Sequence, residues 1–533
     1  VQYFLKKGHA PILTKINFNQ LFKNSDSMIN KNEQRTSLKN PLLWIIFILY
    51  IFILTYAITH HELWGDEIHS WNIAKASTGF SDLIYNTRYE GHPPGWYTIL
   101  WSISKFTHNV NYIKAPQLII ACLVVFIVLF FSSFPLSIRI LIPFGYYFLF
   151  EYAVLSRNYA IGVLLAFCIC LIISKDFPYK FLLYYTLLFL LSNTHLFAAI
   201  LAGSLHLYFL LLNIEQKKKV RTIALHVLPG IIVLLPSVYF IFPPSDSDKN
   251  ILSWVTRLDL INQFRIIIQA PIKAFIPIPA WWNYNFWNTE FLLEAQGKYP
   301  LLKLLSATVL LGIFVIIFLT LRRNKKCFIL FVINMILTFI AGVVFPIKET
   351  RYVGFIYIGF LAACWLYYYE TPLSRKTKWT INTLLLIQLI AGVFTVSKDI
   401  RLPFSSLYRV NELLKEVPVN EKIVTDYWCL NTVSAFTDKP SYCIELNKEM
   451  SFVLLNDELA TTLMKPGRYY NGVKNLFEQE KLQSIYMVSI QSPENISKLD
   501  PLLTKSFKIN LIDKREGAIE KGSNLYLYQI NSF

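Results

Sequence analysis

The sequence predicts a polytopic α-helical membrane protein of about 11–12 transmembrane helices with a small extracytoplasmic α/β domain at its C-terminal side. Three observations lead there. Of 533 residues, 54% are apolar and 16% charged, against about 45–50% and about 25% in soluble chains. The apolar residues gather in runs long enough to cross about 30 Å of hydrocarbon. Lysine and arginine exceed acids by 51 to 34, and the excess falls almost wholly between those runs.

The chain opens on a polar head, 1–40, with seven bases from Lys6 to Lys39. The first apolar run, 41–59, is long enough to span and follows forty polar residues, so no cleavable signal peptide is expected. Further spans are predicted near 115–131, 138–154, 158–174, 222–241, 301–321, 327–345, 352–369 and 380–396, with two more from 181–212, which Asn193, Thr194 and His195 interrupt. Lysine and arginine mark cytoplasmic loops. The head, Lys217–Arg221, Arg322–Lys326 and Arg375–Lys378 should therefore lie inside, which demands an even number of crossings between the head and Lys217. Segment 93–106 then reads as an interfacial helix displaying Trp96, Tyr97 and Trp101; the alternative is that it crosses and 181–212 is one kinked span.

With that map three regions face outward: 60–92, 242–300 and 397–533. The last has seventeen bases and seventeen acids, while the head and the three inner loops carry +15 of the net +17. The charge is thus a topological signal, and nucleic acid is excluded as its partner. Within 397–533 the pattern predicts a helix at 405–416, strands at 422–427 and 484–490, and a closing hairpin around 506–530. Most of the seven cysteines lie in apolar runs; only Cys429 and Cys443 could pair, if they face an oxidising compartment.

Loop 60–92 carries the candidate chemistry. It has five acids to two bases, and Ser81, Gly91 and Pro93 read as a helix N-cap, a helix stop and the first turn of the next helix. An Asp or Glu beside the membrane can act as general base for an attacking hydroxyl or amine. Adjacent Asp66 and Glu67 point about 100° apart on a helix, so one can face the reaction while the other orients a partner; the alternative is a solvated turn carrying two acids. Arg88 and His92 read either as a phosphate cradle or as an aqueous surface pair with Glu90. Arg157 and Arg351 lie at span ends, where a base can also snorkel to headgroups. His195 within an apolar run is either functional or a hydrogen-bonded structural imidazole. The aromatics of 280–288 suit sugar stacking or an interfacial belt, and Asp426, Tyr427 and Trp428 suit glycan contact or core packing. No metal-ligand spacing appears outside the membrane, and His60, His61 and Glu62 lack a further ligand.

The succession WGDEIHSW, RYEGHPPGWY, LSRNYA, NTH and ETRYVGF over roughly 41–400 resembles bacterial members of the glycosyltransferase family 39 group. That group holds protein O-mannosyltransferases and lipid A aminoarabinose transferases of the GT-C fold class. The resemblance implies a GT-C-like transmembrane catalytic module over 41–396 in a bacterial plasma membrane. It also implies a sugar donor on polyprenyl phosphate, an envelope lipid, glycan or protein acceptor, and one inverting displacement on the extracytoplasmic face. Asp66 matches the proposed acceptor-activating base and Glu67 its support. Arg88, His92, Arg157 and Arg351 are the candidates for the donor phosphate, and His195, Lys348 and Tyr352 for further substrate contacts. No cofactor is required, although Asp66 and Glu67 could hold a divalent metal. Where many relatives place an acid after the LSRNYA-type segment, this chain has Ala160-Ile161-Gly162, so a carboxylate role there is not carried over. Two other classes compete. A transporter or flippase would set ionisable groups near the bilayer midplane, where Glu151 is one of few. A scaffold anchored by its spans would not need eleven of them.

Overall fold

The computed structural model describes residues 37–175, 177–242, 244–247, 260–299, 301–345 and 347–532. The basic head up to residue 36 and residues 248–259 of the loop at 242–300 lie outside the described residues. Asn40 opens the first helix, α1 (Pro41–His60), by accepting from the Leu42 N–H at 3.0 Å, with Pro41 in the first turn, where its missing N–H costs nothing. Two short helices follow, α2 (Gly65–Ala76) and α3 (Phe80–Arg88), then α4 (Gly95–Ser104). The N-cap of α3 is Gly79 rather than Ser81, because Asp82 reaches back to the Thr78 N–H at 2.9 Å and starts the helix two residues earlier. Gly91, at φ 67°, turns the chain after α3. With 10 residues α4 rises about 15 Å, half a hydrocarbon thickness. It buries Trp96, Tyr97 and Leu100 against the loop helices.

Apolar helices α5 (Lys114–Phe131), α7 (Tyr159–Ser174), α8 (Lys180–Ser192), α9 (Leu196–Glu215) and α10 (Val220–Ile241) continue the bundle. Stretch 181–212 is two helices, with His195 capping α9. Segment 138–154 departs from the regular span expected. It comprises α6 (Leu136–Leu141), a 3-10 turn at Ile142–Phe144 and a π turn at Tyr147–Glu151. Pro143 removes an N–H, and Gly145 breaks the path at φ −70° and ψ 156°. Gly392 lets a neighbouring helix approach the break: a Cβ there would lie 2.7 Å from the Phe144 carbonyl oxygen.

The second half holds α11 (Leu260–Phe275), α12 (Phe291–Lys298), α13 (Leu302–Leu321), α14 (Lys325–Val344), α15 (Thr350–Glu370) and α16 (Arg375–Arg401). Helix α15 is the centre, buried almost continuously from Thr350 to Tyr367. Among the described residues eight helical segments are long and apolar enough to cross a membrane, and α7 and α8 are shorter apolar helices.

After a 3-10 turn and α17 (Val410–Leu414) the chain builds a six-stranded sheet of β1 (Ile423–Thr425), β2 (Ser441–Cys443), β3 (Lys448–Met450), β4 (Ser484–Ser489), β5 (Phe507–Arg515) and β6 (Leu525–Ser532), ordered β3-β2-β1-β4-β6-β5. Strands β2, β1 and β4 run parallel; β3, β6 and β5 pair antiparallel with their neighbours. The crossover from β1 to β2 is α18 (Tyr427–Thr437), which packs on α2 and so sets the sheet domain over loop 60–92. Cys429 and Cys443 are separate buried thiols.

Candidate active site

Asp66 and Glu67 open α2 and diverge. Glu67 is fully buried and accepts from the Trp64 N–H at 3.0 Å, closing the first turn onto itself. It also takes the Ser156 N–H and lies 3.3 Å from His61 Nε2, while His61 Nδ1 lies 3.0 Å from Asp399 on α16. This buried chain ties α2, the turn before Arg157 and the end of α16 together. Glu67 is thereby committed to protein partners, so the pair does not offer a shared metal site. Among the described residues no group of three or more His, Cys, Asp or Glu is placed to hold one.

The Asp66 side chain, 42% exposed, opens on a cavity of about 470 Å³ between the loop helices and the sheet domain. Two guanidinium groups flank it, Arg157 Nη2 at 3.7 Å and Arg351 Nη2 at 3.5 Å, both from one carboxylate oxygen. Arg157 is aimed by hydrogen bonds to the Asp66 carbonyl at 2.6 Å and Ser70 Oγ at 2.7 Å. Arg351 sits among aromatic faces, 5.0 Å from Trp64, 5.1 Å from Tyr352 and 5.7 Å from Trp287. Behind it, buried Glu151 accepts from the Trp287 indole at 3.2 Å and from Tyr146 at 2.7 Å. Arg157 Nε and Arg351 Nε and Nη1 are buried donors with no acceptor among the described residues. Enclosure by protein works to raise the Asp66 pKa, but the two guanidinium groups outweigh it and hold the carboxyl below its ordinary value.

Beside Asp66, one helical turn on, His69 lies 2.9 Å from Glu90. Burial opposes protonation of His69, and the Glu90 charge overcomes it, so its pKa is raised. The sheet domain supplies the roof through Tyr427, Trp428 and Asn431 of α18 and through Glu520, Lys521 and Ser523 of the β5–β6 loop. That loop is clamped from two sides. Ile519 and Glu520 donate to the Pro403 and Phe404 carbonyls at 2.9 and 3.0 Å, and Asn285 donates to Ala518 and Ile519 at 3.0 Å. Burial first, then the nearby Asp66 charge, pushes the Glu520 pKa up to about 8.

Of the residues singled out from sequence, Asp66, His92, Arg157 and Tyr352 line the cavity, and Arg351 reaches it through Asp66. Arg88 is not among the described residues lining it; its guanidinium lies 4.1 Å from the centre of the Tyr239 ring, because Gly91 turns the chain between it and His92. Lys348 is exposed and meets Lys273 through its carbonyl. His195 caps α9 through the Ala198 N–H at 3.3 Å and packs between Tyr159 and Phe355, with Nε2 3.0 Å from where a Gly162 Cβ would stand. Asp426 is the N-cap of α18 and is buried, while Tyr427 and Trp428 face the cavity. Trp287 packs inside, whereas Trp281 and Trp282 are exposed. His69, Glu520 and Lys521 were not singled out. The spacing of Asp66 and His69, three residues apart, was the available signal for the first.

No family model matches the chain and no curated protein matches it. Among solved structures it is similar to the crystal structure of ArnT from Cupriavidus metallidurans in the apo state, with 10% identity over 91% of this chain and 97% of that chain and a TM-score of 0.48.

Proposed function

We propose that the protein is an integral glycosyltransferase of the bacterial plasma membrane. It moves a sugar from a polyprenyl-phosphate donor to an envelope lipid, glycan or protein acceptor on the extracytoplasmic face. The observation that carries this reading is a carboxylate opening on a cavity between two guanidinium groups that retain buried N–H donors without an acceptor among the described residues. Such donors match the oxygens of a phosphate. In the reaction the acceptor hydroxyl or amine gives its proton to Asp66 as its lone pair attacks the anomeric carbon. The bond from that carbon to the phosphate oxygen breaks, and the electron pair leaves on the polyprenyl phosphate. Arg157, Arg351 and His92 stabilise the charge gathering there.

The same geometry explains how a carboxyl held acidic can act as base. Both guanidinium groups face Asp66 in the free protein. A donor phosphate draws them onto itself and withdraws the charge that depresses the Asp66 pKa, so basicity rises when the donor is in place. The test is transfer from synthetic polyprenyl-phosphate sugars by the purified, reconstituted protein. Asp66→Asn should cut transfer by roughly 10²–10⁴ with expression and membrane insertion intact; wild-type rates in that variant would sink the assignment.

A further inference from the structure

A second cavity, of about 630 Å³, lies between α11, α12 and α13 and shares no residue with the one under the sheet domain. Its size falls in the range of ligand sites, about 300–1,000 Å³. Its polar lining is one-sided in charge: Arg265 and Lys303, with Gln269, Gln296 and Ser306, and no carboxylate among the described residues lining it. Its other wall is apolar, formed by Ile268, Ile272, Leu293 and Leu310. Phe264, Leu301 and Leu304 beside it are exposed, Leu301 at 88%. An apolar rim next to a span helix belongs against lipid tails. Lys303 stands in the first turn of α13, whose N-cap Leu301 makes no side-chain cap, so the positive end of a 20-residue helix adds to the two side-chain charges.

We propose that this pocket binds the headgroup phosphate of an anionic phospholipid of the surrounding leaflet. The phosphate takes charge-assisted hydrogen bonds from Arg265 and Lys303, Gln269, Gln296 and Ser306 serve the glycerol and headgroup oxygens, and the first methylenes lie on the apolar wall. A zwitterionic lipid brings its own cation into a pocket already holding two, so discrimination is by charge. The occupied pocket braces α11, whose Lys273 donates to the Asn288 and Lys348 carbonyls three residues before Arg351.

The test uses the full-length protein in nanodiscs of equal phosphatidylglycerol and phosphatidylcholine, with retained lipid counted by native mass spectrometry. Wild type should retain phosphatidylglycerol preferentially. The double variant R265Q/K303Q should lose that preference about tenfold, while R322Q/R323Q, with charges removed at the other end of α13, should keep it. Ala307→Trp, which fills the pocket and leaves both cations in place, should also lose it. Equal retention of the two lipids by wild type, or unchanged preference in R265Q/K303Q and Ala307→Trp, would overturn the proposal. Displacement of phosphatidylglycerol by millimolar inorganic phosphate would overturn the lipid assignment in favour of a free-anion site.

Discussion

Replacing Glu67 by Gln keeps the shape of the side chain and removes its charge from a wholly buried site. In the native protein Glu67 and Asp399 clasp His61 from either side. Burial alone would keep that imidazole neutral, but the two carboxylates overcome it and raise its pKa from 6.5 to about 9. A rise of this size corresponds to about 3 kcal/mol of folding stability. Because the folded pKa is the higher one, the contribution is complete below pH 6.5 and is lost as pH rises through about 9. Glu67→Gln removes one of the two counter-charges, and its amide cannot accept as well from both the Trp64 and Ser156 N–H groups. The cost should be roughly 3–5 kcal/mol, the range for breaking a buried charged pair. Thermal and denaturant unfolding of the purified protein between pH 6 and 10 would measure it. The gap between wild type and variant should be widest at pH 6 and narrow above 9. A gap that is absent, or constant across that range, would refute the role given to the Glu67–His61–Asp399 chain.

Other outcomes follow from the same geometry. Glu520 is a neutral acid below about pH 8; above that it ionises beside Asp66, so transfer should decline as pH rises through 8, and Glu520→Gln should remove that alkaline decline from the rate profile. Arg157→Ala should lower transfer by about 10² or more, whereas Arg88→Ala, on a side chain stacked over Tyr239, should stay within about twofold in the same assay. Gly392→Ala would push a methyl group to 2.7 Å from the Phe144 carbonyl oxygen and 3.0 Å from the Tyr146 nitrogen; backbone cannot yield there, and unfolding should show a loss of about 1–3 kcal/mol.

Apolar run length, a property of single residues summed over a window, was enough to find α1, α5, α9, α10 and α13–α16. The same sum conceals the break at 142–151, since Pro143 and Gly145 sit among residues as apolar as those of a regular span. Strands β1, β4, β5 and β6 were legible because each alternates or runs apolar between turn residues; β2 and β3, three residues each, are too short for a period to register. At the site, the divergence of Asp66 toward the cavity and of Glu67 into the protein was readable, since a helix turns successive side chains apart. For Arg88 and His92 the spacing did not tell which reaches the cavity, since Gly91 turns the chain between them and leaves Arg88 over Tyr239. Glu520 and Lys521 were hidden for the opposite reason: they lie about 450 residues beyond Asp66 in a polar turn that resembles any hairpin loop, and only the docking of the sheet domain through α18 and Asn285 brings them to the cavity.

The clamped β5–β6 loop separates two things an enzyme usually has to change together. The groups that would break the sugar–phosphate bond hang from the membrane helices and the loop after the first of them, and the surface that would greet the incoming acceptor hangs from a sheet appended at the far end of the chain. Exchanging residues 521–523, with Glu520 and the anchoring carbonyls of Ala518 and Ile519 kept, should therefore redirect the chemistry to a new acceptor without retuning it. Relatives that share the floor and differ in the roof would be expected to share a donor and differ in what they decorate.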